Sequence, residues 1–290
     1  MSDFAQFVFS GLTTGSIYAL VALGFVLIYN ASGVINFAQG DFLMLSGMIC
    51  AALLGAKFPF VLAIVVAVLL TVVSGLVLYR LAIKPAGDTT VVSLIIITIG
   101  ASIFIQGAVQ VVLGKNQHTL PSFSGHKSIE ILGAYVLPQS LWVLGAGVVL
   151  VALFGAFFKF TLTGKAMLAV AANKLAAQAV GIPVHRILLL SFGMSALLGG
   201  VAGVVSAPIT TTVYDIGLML GMKGFVAATL GGLGSGVGAI VGGLLVGLFE
   251  ALVAGYISSA YKDAMPFVLI IVILLVMPDG LFGKKQSDRV

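Results

Sequence analysis

Uninterrupted apolar stretches of about 20 residues most constrain the fold of this chain, because a bilayer core is crossed by roughly that length of helix. The stretch from Phe60 to Leu78, for example, contains no charged residue. Inside lipid, a helix pairs its own backbone groups. The strands of a membrane barrel would instead alternate apolar and polar residues, and that pattern is missing here. The sequence therefore predicts an all-α, polytopic transmembrane helical bundle.

The composition agrees with lipid as the main solvent. Of the 290 residues, 60% are hydrophobic and only 8% are charged, whereas soluble domains carry about 25% charged residues. A soluble protein of this length could not solvate its surface with so few charges. We expect residues 1–290 to form a single membrane domain.

Nine apolar segments are separated by short polar or glycine-rich stretches. They are residues 7–29, 37–56, 60–80, 91–113, 141–160, 187–207, 219–233, 236–257 and 264–278. Three of them, 37–56, 219–233 and 264–278, are short or interrupted by glycine or proline, so each could be a broken or re-entrant helix. The sequence predicts eight or nine membrane segments.

The basic residues predict the orientation, because Lys and Arg are enriched in cytoplasmic loops. Nine of the fourteen Lys and Arg residues fall in three regions, namely Arg80 and Lys84, then Lys159, Lys165, Lys174 and Arg186, and finally Lys284, Lys285 and Arg289. We expect loop 161–186 and tail 280–290 to be cytoplasmic and loop 114–140 to be external. The N-terminus is outside with nine crossings and inside with eight, and the sequence leaves both open.

Enzyme chemistry is not indicated by any motif. No phosphate-binding GxxxxGK[ST] loop occurs, so the chain is not expected to hydrolyse ATP itself. No clustered Cys/His set suggests a metal or cofactor, and Cys50 is the single cysteine. The net charge is +5, and the basic residues lie in loops and in the tail. This distribution is typical of membrane topology and does not indicate nucleic-acid binding.

Polar residues inside the apolar segments are functional candidates, because burying them in a membrane is costly. They are Asn30, Asn36, Gln39, Asp41, Gln106, Lys223 and Glu250. Lys223 is the most plausible basic partner of Glu250, as a structural ion pair or as part of a translocation path. So few polar groups predict a modestly polar path without a tight amino-acid site.

Asn36, Gln39 and Asp41 form a polar break between two apolar segments, with Gly33 and Gly40 beside them. Non-helical backbone is tolerated at membrane depth where protein buries it. One hypothesis is a buried, non-helical break near the path or its inner gate. The alternative is an ordinary cytoplasmic turn.

The glycine-rich stretch 231–238 cannot be the middle of an ordinary helix, because each glycine costs about 1 kcal/mol there. It predicts a tight cytoplasmic turn between two packed helices. Pairs such as Gly11 and Gly15 have the GxxxG spacing that allows close helix contact in membranes.

Several stretches together resemble the LivH-type permeases of the branched-chain amino acid ABC transporter family. They are GSIYAL at 15–20, NFAQGD at 36–41, GMKGF at 221–225, LGGLGS at 230–235, YKD at 261–263 and VMPDG at 276–280. The family often has His at the position of Gln39 and Glu at that of Asp41.

Loop 161–186 resembles the ATPase-coupling loop of ABC-importer permeases, whose motif has an acid, two alanines and, after three residues, glycine. Ala176, Ala177 and Gly181 keep that spacing, but Leu175 replaces the acid. The sequence predicts a cytoplasmic helix over roughly 164–180, ended by Gly181 and Ile182. The coupling residues implied here are Gly164, Lys165, Ala176, Ala177, Gly181 and Ile182.

The resemblance implies an inner-membrane permease that imports leucine, isoleucine and valine. It also implies a second homologous permease subunit in a heterodimer, two ABC ATPase subunits and a periplasmic substrate-binding protein. Alternatives of the same superfamily carry urea, short amides or other amino acids. A secondary transporter or channel belongs to another class, and intramembrane carboxylates that could bind coupling ions are scarce here.

Overall fold

All nine apolar segments of the sequence contain a helix in the computed structural model, which describes residues 2–87, 89–125, 127–131 and 133–283. The helices of these ranges are α1 (Ser2–Ser32), α2 (Gln39–Gly55), α3 (Phe60–Leu78), α4 (Lys84–Ala86), α5 (Val91–Leu113), α6 (Pro138–Phe160), α7 (Leu162–Ala172), α8 (Lys174–Ala179), α9 (Val184–Thr210), α10 (Ile216–Gly231), α11 (Gly236–Tyr256) and α12 (Met265–Val276). A π-helical turn, Tyr79–Ile83, joins α3 to α4, and a 3₁₀ turn, Ser259–Tyr261, precedes α12.

Within the described ranges, six helical spans are long and apolar enough to cross a membrane. They are Asp3–Ser32, Phe60–Ala86, Val91–Leu113, Pro138–Phe160, Val184–Thr210 and Gly236–Tyr256. The chain is therefore a multi-pass membrane protein. The apolar helices α2, α10 and α12 are shorter, with 17, 16 and 12 residues. They correspond to the three segments that the sequence marked as short or broken, and the total of eight or nine membrane segments stays a prediction.

The loop between α5 and α6 is folded, and it contains the one departure from an all-α fold among the described residues. Strands β1 (Ile129–Ile131) and β2 (Ala134–Val136) form an antiparallel hairpin. His118 and Thr212 exchange two backbone hydrogen bonds of 2.8 Å, which pin the loop to the α9–α10 connection. Hydropathy does not reveal tertiary hydrogen bonds of this kind, so the sequence does not predict a strand here.

The central helices are α1 and α9, and each begins a group of three. In one group α1 is followed by α2 and α3, and in the other α9 is followed by α10 and α11. Each long helix packs along the other group, α1 against α10 and α11 and α9 against α2 and α3, while α2 meets α10. In both groups a non-helical break, 33–38 or 211–215, separates the long buried helix from a short one.

Glycine allows α1 and α11 to approach backbone to backbone. A Cβ added to Gly11 would lie 2.8 Å from Leu248 Cα, and one added to Gly15 would lie 2.8 Å from Leu244 Cα. The small-residue spacing predicted from sequence is therefore used for close helix packing.

The glycine-rich stretch forms the predicted tight turn between two packed helices, α10 and α11. Gly232 and Gly234 both have a φ of +101°, a conformation that glycine adopts without steric cost. The chain after α12 closes this turn, because Leu281 N–H donates to Leu230 O at 2.9 Å and Phe282 N–H donates to Gly231 O at 2.9 Å. Residues 284–290 of the predicted cytoplasmic tail, with Lys284, Lys285 and Arg289, lie outside the described residues.

Replacing Gly15 by Ala should destabilise the fold, because the new methyl group meets the backbone of α11. Overpacking of this kind costs about 1–3 kcal/mol, so we expect a lower Tm in detergent. Gly145→Ala is the matched control, since nothing lies within 4 Å of its added Cβ. Equal Tm values for the two variants would contradict the close α1–α11 contact.

Candidate functional site

Lys223 and Glu250, predicted as partners, form an ion pair inside the helix bundle. Lys223 Nζ lies 2.9 Å from Glu250 Oε1 and 2.6 Å from Asp263 Oδ1. Tyr18 Oη donates to Glu250 Oε2 at 2.8 Å, and the ammonium lies 5.6 Å from the centroid of the Tyr18 ring. We call Tyr18, Lys223, Glu250 and Asp263 the lysine cluster.

The lysine cluster ties together four parts of the fold, because its members lie on α1, α10, α11 and the connection to α12. Lys223 and Glu250 are buried, with 3% and 8% exposure, whereas the Asp263 side chain is 48% exposed. The hydrogen bond from Lys223 lowers the pKa of the Asp263 carboxyl, so this carboxyl stays ionised at neutral pH. A buried ammonium is thus matched by carboxylates on two sides.

The break before α2 is shorter than predicted and only partly buried, because Asn36 is buried whereas Gly33 is exposed. Its place near a translocation path stays a prediction. Only residues 33–38 are non-helical, and Gln39 and Asp41 already lie in the first turn of α2. In this first turn Gly40 packs directly against the backbone of α10, since a Cβ on Gly40 would lie 2.6 Å from Gly221 Cα.

Gln39 fixes the start of α2 to the two central helices. Its Nε2 donates to Ser195 O at 3.2 Å, and its Oε1 accepts a hydrogen bond from Ser195 Oγ. Ser195 Oγ also lies 2.9 Å from Gly24 O. Gln39 and Ser195 are fully buried. The amide therefore joins α2 to α9 beside the close approach of α1.

Asp41 faces α5 on the other side of α2. Gln106 Nε2 donates to Asp41 Oδ1 at 2.9 Å and to Ser102 Oγ at 3.1 Å. One turn earlier on α5, Thr98 Oγ1 accepts from Phe37 N at 3.3 Å. Spaced four residues apart, Thr98, Ser102 and Gln106 form one polar face of α5.

Loop 161–186 forms two helices where the sequence predicted one. α7 ends at Ala172 and α8 starts at Lys174, because Asn173 is extended and caps α8 by accepting from Ala176 N at 2.9 Å. Asn favours this capping position over the middle of a helix. Gly181 follows α8 with a φ of +87°, which agrees with its predicted role as a stop signal.

Some of the residues expected to couple to an ATPase are buried against the bundle, and others are exposed. Gly164 and Ala177 are buried against the bundle, Ile182 is half-buried, and Lys165, Ala176 and Gly181 are exposed. The most exposed apolar side chains of α8 and its end are Leu175 at 78% and Val180 at 77%.

Sequence reasoning missed several members of these clusters. Tyr18 and Asp263 lie inside the family stretches, but no sequence pattern marks them as partners of the buried pair. Ser195, Ser102 and Thr98 carried no usable signal, since serine and threonine in apolar helices commonly bond their own backbone. Among the described residues, no group of three or more His, Cys, Asp or Glu could hold a metal ion.

Comparison with known proteins gives matches along almost the whole chain. A family model for the permease component of branched-chain amino acid transport systems matches residues 7–274. The chain is 35% identical to the high-affinity branched-chain amino acid transport system permease protein LivH of Escherichia coli (strain K12), over 99% of this chain and 98% of that protein. It is 31% identical to the permease protein BraD of Pseudomonas aeruginosa, with the same coverage.

A solved structure, PsaBC from Streptococcus pneumoniae in complex with Fab, matches with a TM-score of 0.53 at 14% identity. The match covers 96% of this chain and 94% of that one. At this identity the likeness concerns the fold alone.

Replacing Lys223 by Met should destabilise the protein strongly, because Glu250 would remain buried without its cation. Breaking a buried ion pair costs about 3–5 kcal/mol. Asp263→Asn should lower the Tm less, since that carboxylate is half exposed to solvent. Lys115→Met, at an exposed loop position, is the control for loss of a charge. A Tm for Lys223→Met equal to that of the control would contradict the role of the lysine cluster.

Proposed function

The chain belongs to the family of branched-chain amino acid transport system permease components, and we propose on that basis that it is the membrane-spanning permease subunit of an ATP-driven ABC importer for leucine, isoleucine and valine. The observation that carries this proposal is the match of the family model to residues 7–274, together with the full-length similarity to LivH and BraD.

The energy for transport is assigned to partner subunits, because this chain has no phosphate-binding motif. In the proposed complex two ABC ATPases, a second homologous permease and a periplasmic binding protein join this chain in the bacterial inner membrane. Exposed Leu175 and Val180 support loop 161–186 as the docking element, since exposed apolar side chains on a short surface helix suit a partner's groove.

The proposed orientation places loop 161–186, the α10–α11 turn and the tail in the cytoplasm. The connection between α11 and α12 is then external, which puts the lysine cluster in the outer half of the bundle. Gln39 and Asp41 begin α2 inside the bundle, near the proposed path. We propose nine membrane-embedded helices, with α2, α10 and α12 too short to cross a full bilayer without tilting or help from their flanking segments.

Urea, short amides and other amino acids are the alternative substrates. The names of LivH and BraD favour branched-chain amino acids over these. Competition separates the possibilities: unlabelled isoleucine and valine should compete with labelled leucine for uptake, whereas urea and acetamide should not.

Reconstitution of the complex in lipid vesicles tests the proposed function. We expect leucine uptake only when ATP is present on the ATPase side and the binding protein on the other. Leucine uptake driven by an ion gradient, with no ATPase subunit present, would show that the chain is a secondary transporter instead.

A bulky residue at position 181 should uncouple ATP hydrolysis from transport or prevent assembly. Gly181 has a positive φ and lies at the end of the proposed docking element, so Gly181→Trp both strains the turn and obstructs the ATPase surface. Gly114→Trp is the matched control, because Gly114 has a φ of +85° in the opposite loop. If Gly181→Trp transports and assembles like wild type, loop 161–186 is not the coupling element.

A further inference from the structure

Three buried side-chain atoms of the described residues have no hydrogen-bond partner, namely Asn36 Nδ2, Asp41 Oδ2 and Thr212 Oγ1. Asn36 lies in the break before α2, Asp41 in the first turn of α2 and Thr212 in the break before α10. Buried polar groups are nearly always hydrogen-bonded in native proteins, so these three unpaired atoms require an explanation. Their common location suggests a ligand that visits this part of the bundle.

Of the three side chains, Asp41 is the one whose burial without a full set of partners costs the most free energy. It is 1% exposed, and its charge is balanced by no salt bridge, since both ion pairs of the described residues involve Lys223. Ser102 and Gln106 both face the carboxyl group, and Gln106 donates to Oδ1, whereas Oδ2 has no partner within hydrogen-bond distance. An ionised carboxylate accepts hydrogen bonds and donates none, so the free oxygen calls for a cationic N–H donor such as an ammonium group.

Asn36 offers the opposite chemistry five residues earlier. Its Oδ1 already accepts from Ala38 N at 3.3 Å, which leaves the two N–H donors of Nδ2 free. Asn36 itself is fully buried. Free amide donors suit a carboxylate. The start of α2 thus carries an unpaired acceptor and an unpaired donor, which are the two groups that a zwitterion needs.

Apolar side chains lie immediately beyond Asp41 along α2. Met44 and Met48 form a buried cluster with Val109 of α5, and Ile105 and Tyr214 pack against it. Met44 is three residues after Asp41, and Val109 is three residues after Gln106, so both lie one turn farther along the same helices. Methionine adapts its shape to irregular partners, which suits several aliphatic side chains in turn.

Glycine brings α10 against this cluster without side chains in between. A Cβ on Gly217 would lie 2.8 Å from Asp41 Oδ1, and one on Gly221 would lie 3.1 Å from Gly40 Cα. The first turns of α2 and α10 therefore meet at Asp41. Broken helices whose ends meet inside a bundle are a recurring way to build a transport site near the middle of a membrane.

We propose that Asn36, Asp41, Met44, Met48 and Val109 form a transient site for a zwitterionic amino acid with an aliphatic side chain. Asp41 holds the ammonium group, the Asn36 amide holds the carboxylate, and the side chain rests on the two methionines and Val109. The site is closed in this structure, where every one of these residues is buried. It rests on the proposed function, and it is weak, because release into the cytoplasm has to follow.

The first test is leucine import by the full complex in vesicles. Asp41→Asn keeps the shape and removes the charge, so import should fall about tenfold or more, as expected for losing a charge-assisted hydrogen bond. ATP hydrolysis stimulated by loaded binding protein should persist, which shows assembly. Asp215→Asn, the same change at an exposed position before α10, should import like wild type.

Asp41→Asn at the wild-type import rate would overturn the proposal. So would wild-type import that depends on Na⁺ or K⁺ and loses this dependence in Asp41→Asn, because Asp41 would then bind an inorganic cation. Absence of ATP-driven uptake by the wild-type complex is a different result, since it refutes the proposed function.

A second experiment tests the proposed site if the Asp41→Asn complex does not assemble. Met44→Ala enlarges the apolar half of the site, so the ratio of leucine to valine import from saturated binding protein should change severalfold. Met222→Ala is the matched control, because Met222 is 40% exposed on α10. An unchanged ratio in Met44→Ala would show that the substrate side chain does not contact this cluster.

Discussion

A chain that interrupts its helices inside a bilayer has to satisfy the freed backbone groups from within the protein, because lipid offers no partners. The break at 33–38 meets this constraint through α5 and α9, which supply Thr98 for the backbone and Ser195 for the Gln39 amide. The break at 211–215 meets it through the α5–α6 loop, where His118 pairs with Thr212. Both breaks are therefore held by hydrogen bonds from elements that are folded around them.

Charge is distributed in the bundle according to the same constraint. The lysine cluster is internally balanced, since the Lys223 ammonium contacts Glu250 and Asp263, and Tyr18 donates to Glu250. Such a cluster holds α1, α10 and α11 in one arrangement. The start of α2 is different, because Asp41 and Asn36 keep unused hydrogen-bonding capacity. The lysine cluster joins several helices, while the start of α2 has the unpaired groups on which the proposed solute site depends.

The sequence predicted the helices well and the contacts between them poorly. Apolar length alone located all nine apolar helices, and the cost of burying charge was enough to pair Lys223 with Glu250. Hydropathy could not show that Asn173 splits the helix after α6, because an N-cap is a local hydrogen bond. Nor could it show that the first turn of α2 packs against α10 at Gly40, since that contact joins distant parts of the chain.

We propose that the break before α2 lies on the transport path and changes its exposure to water during the transport cycle. Gln39 is fully buried here, and replacing Cys50, the single cysteine, by Ala provides a background for one introduced thiol. The rate at which a water-soluble thiol reagent labels Gln39→Cys in the complex should differ between nucleotide-free, ATP-bound and substrate-loaded states. Gln117→Cys, on an exposed loop, should label equally in all of them. Labelling at position 39 that is independent of nucleotide and substrate would contradict the claim.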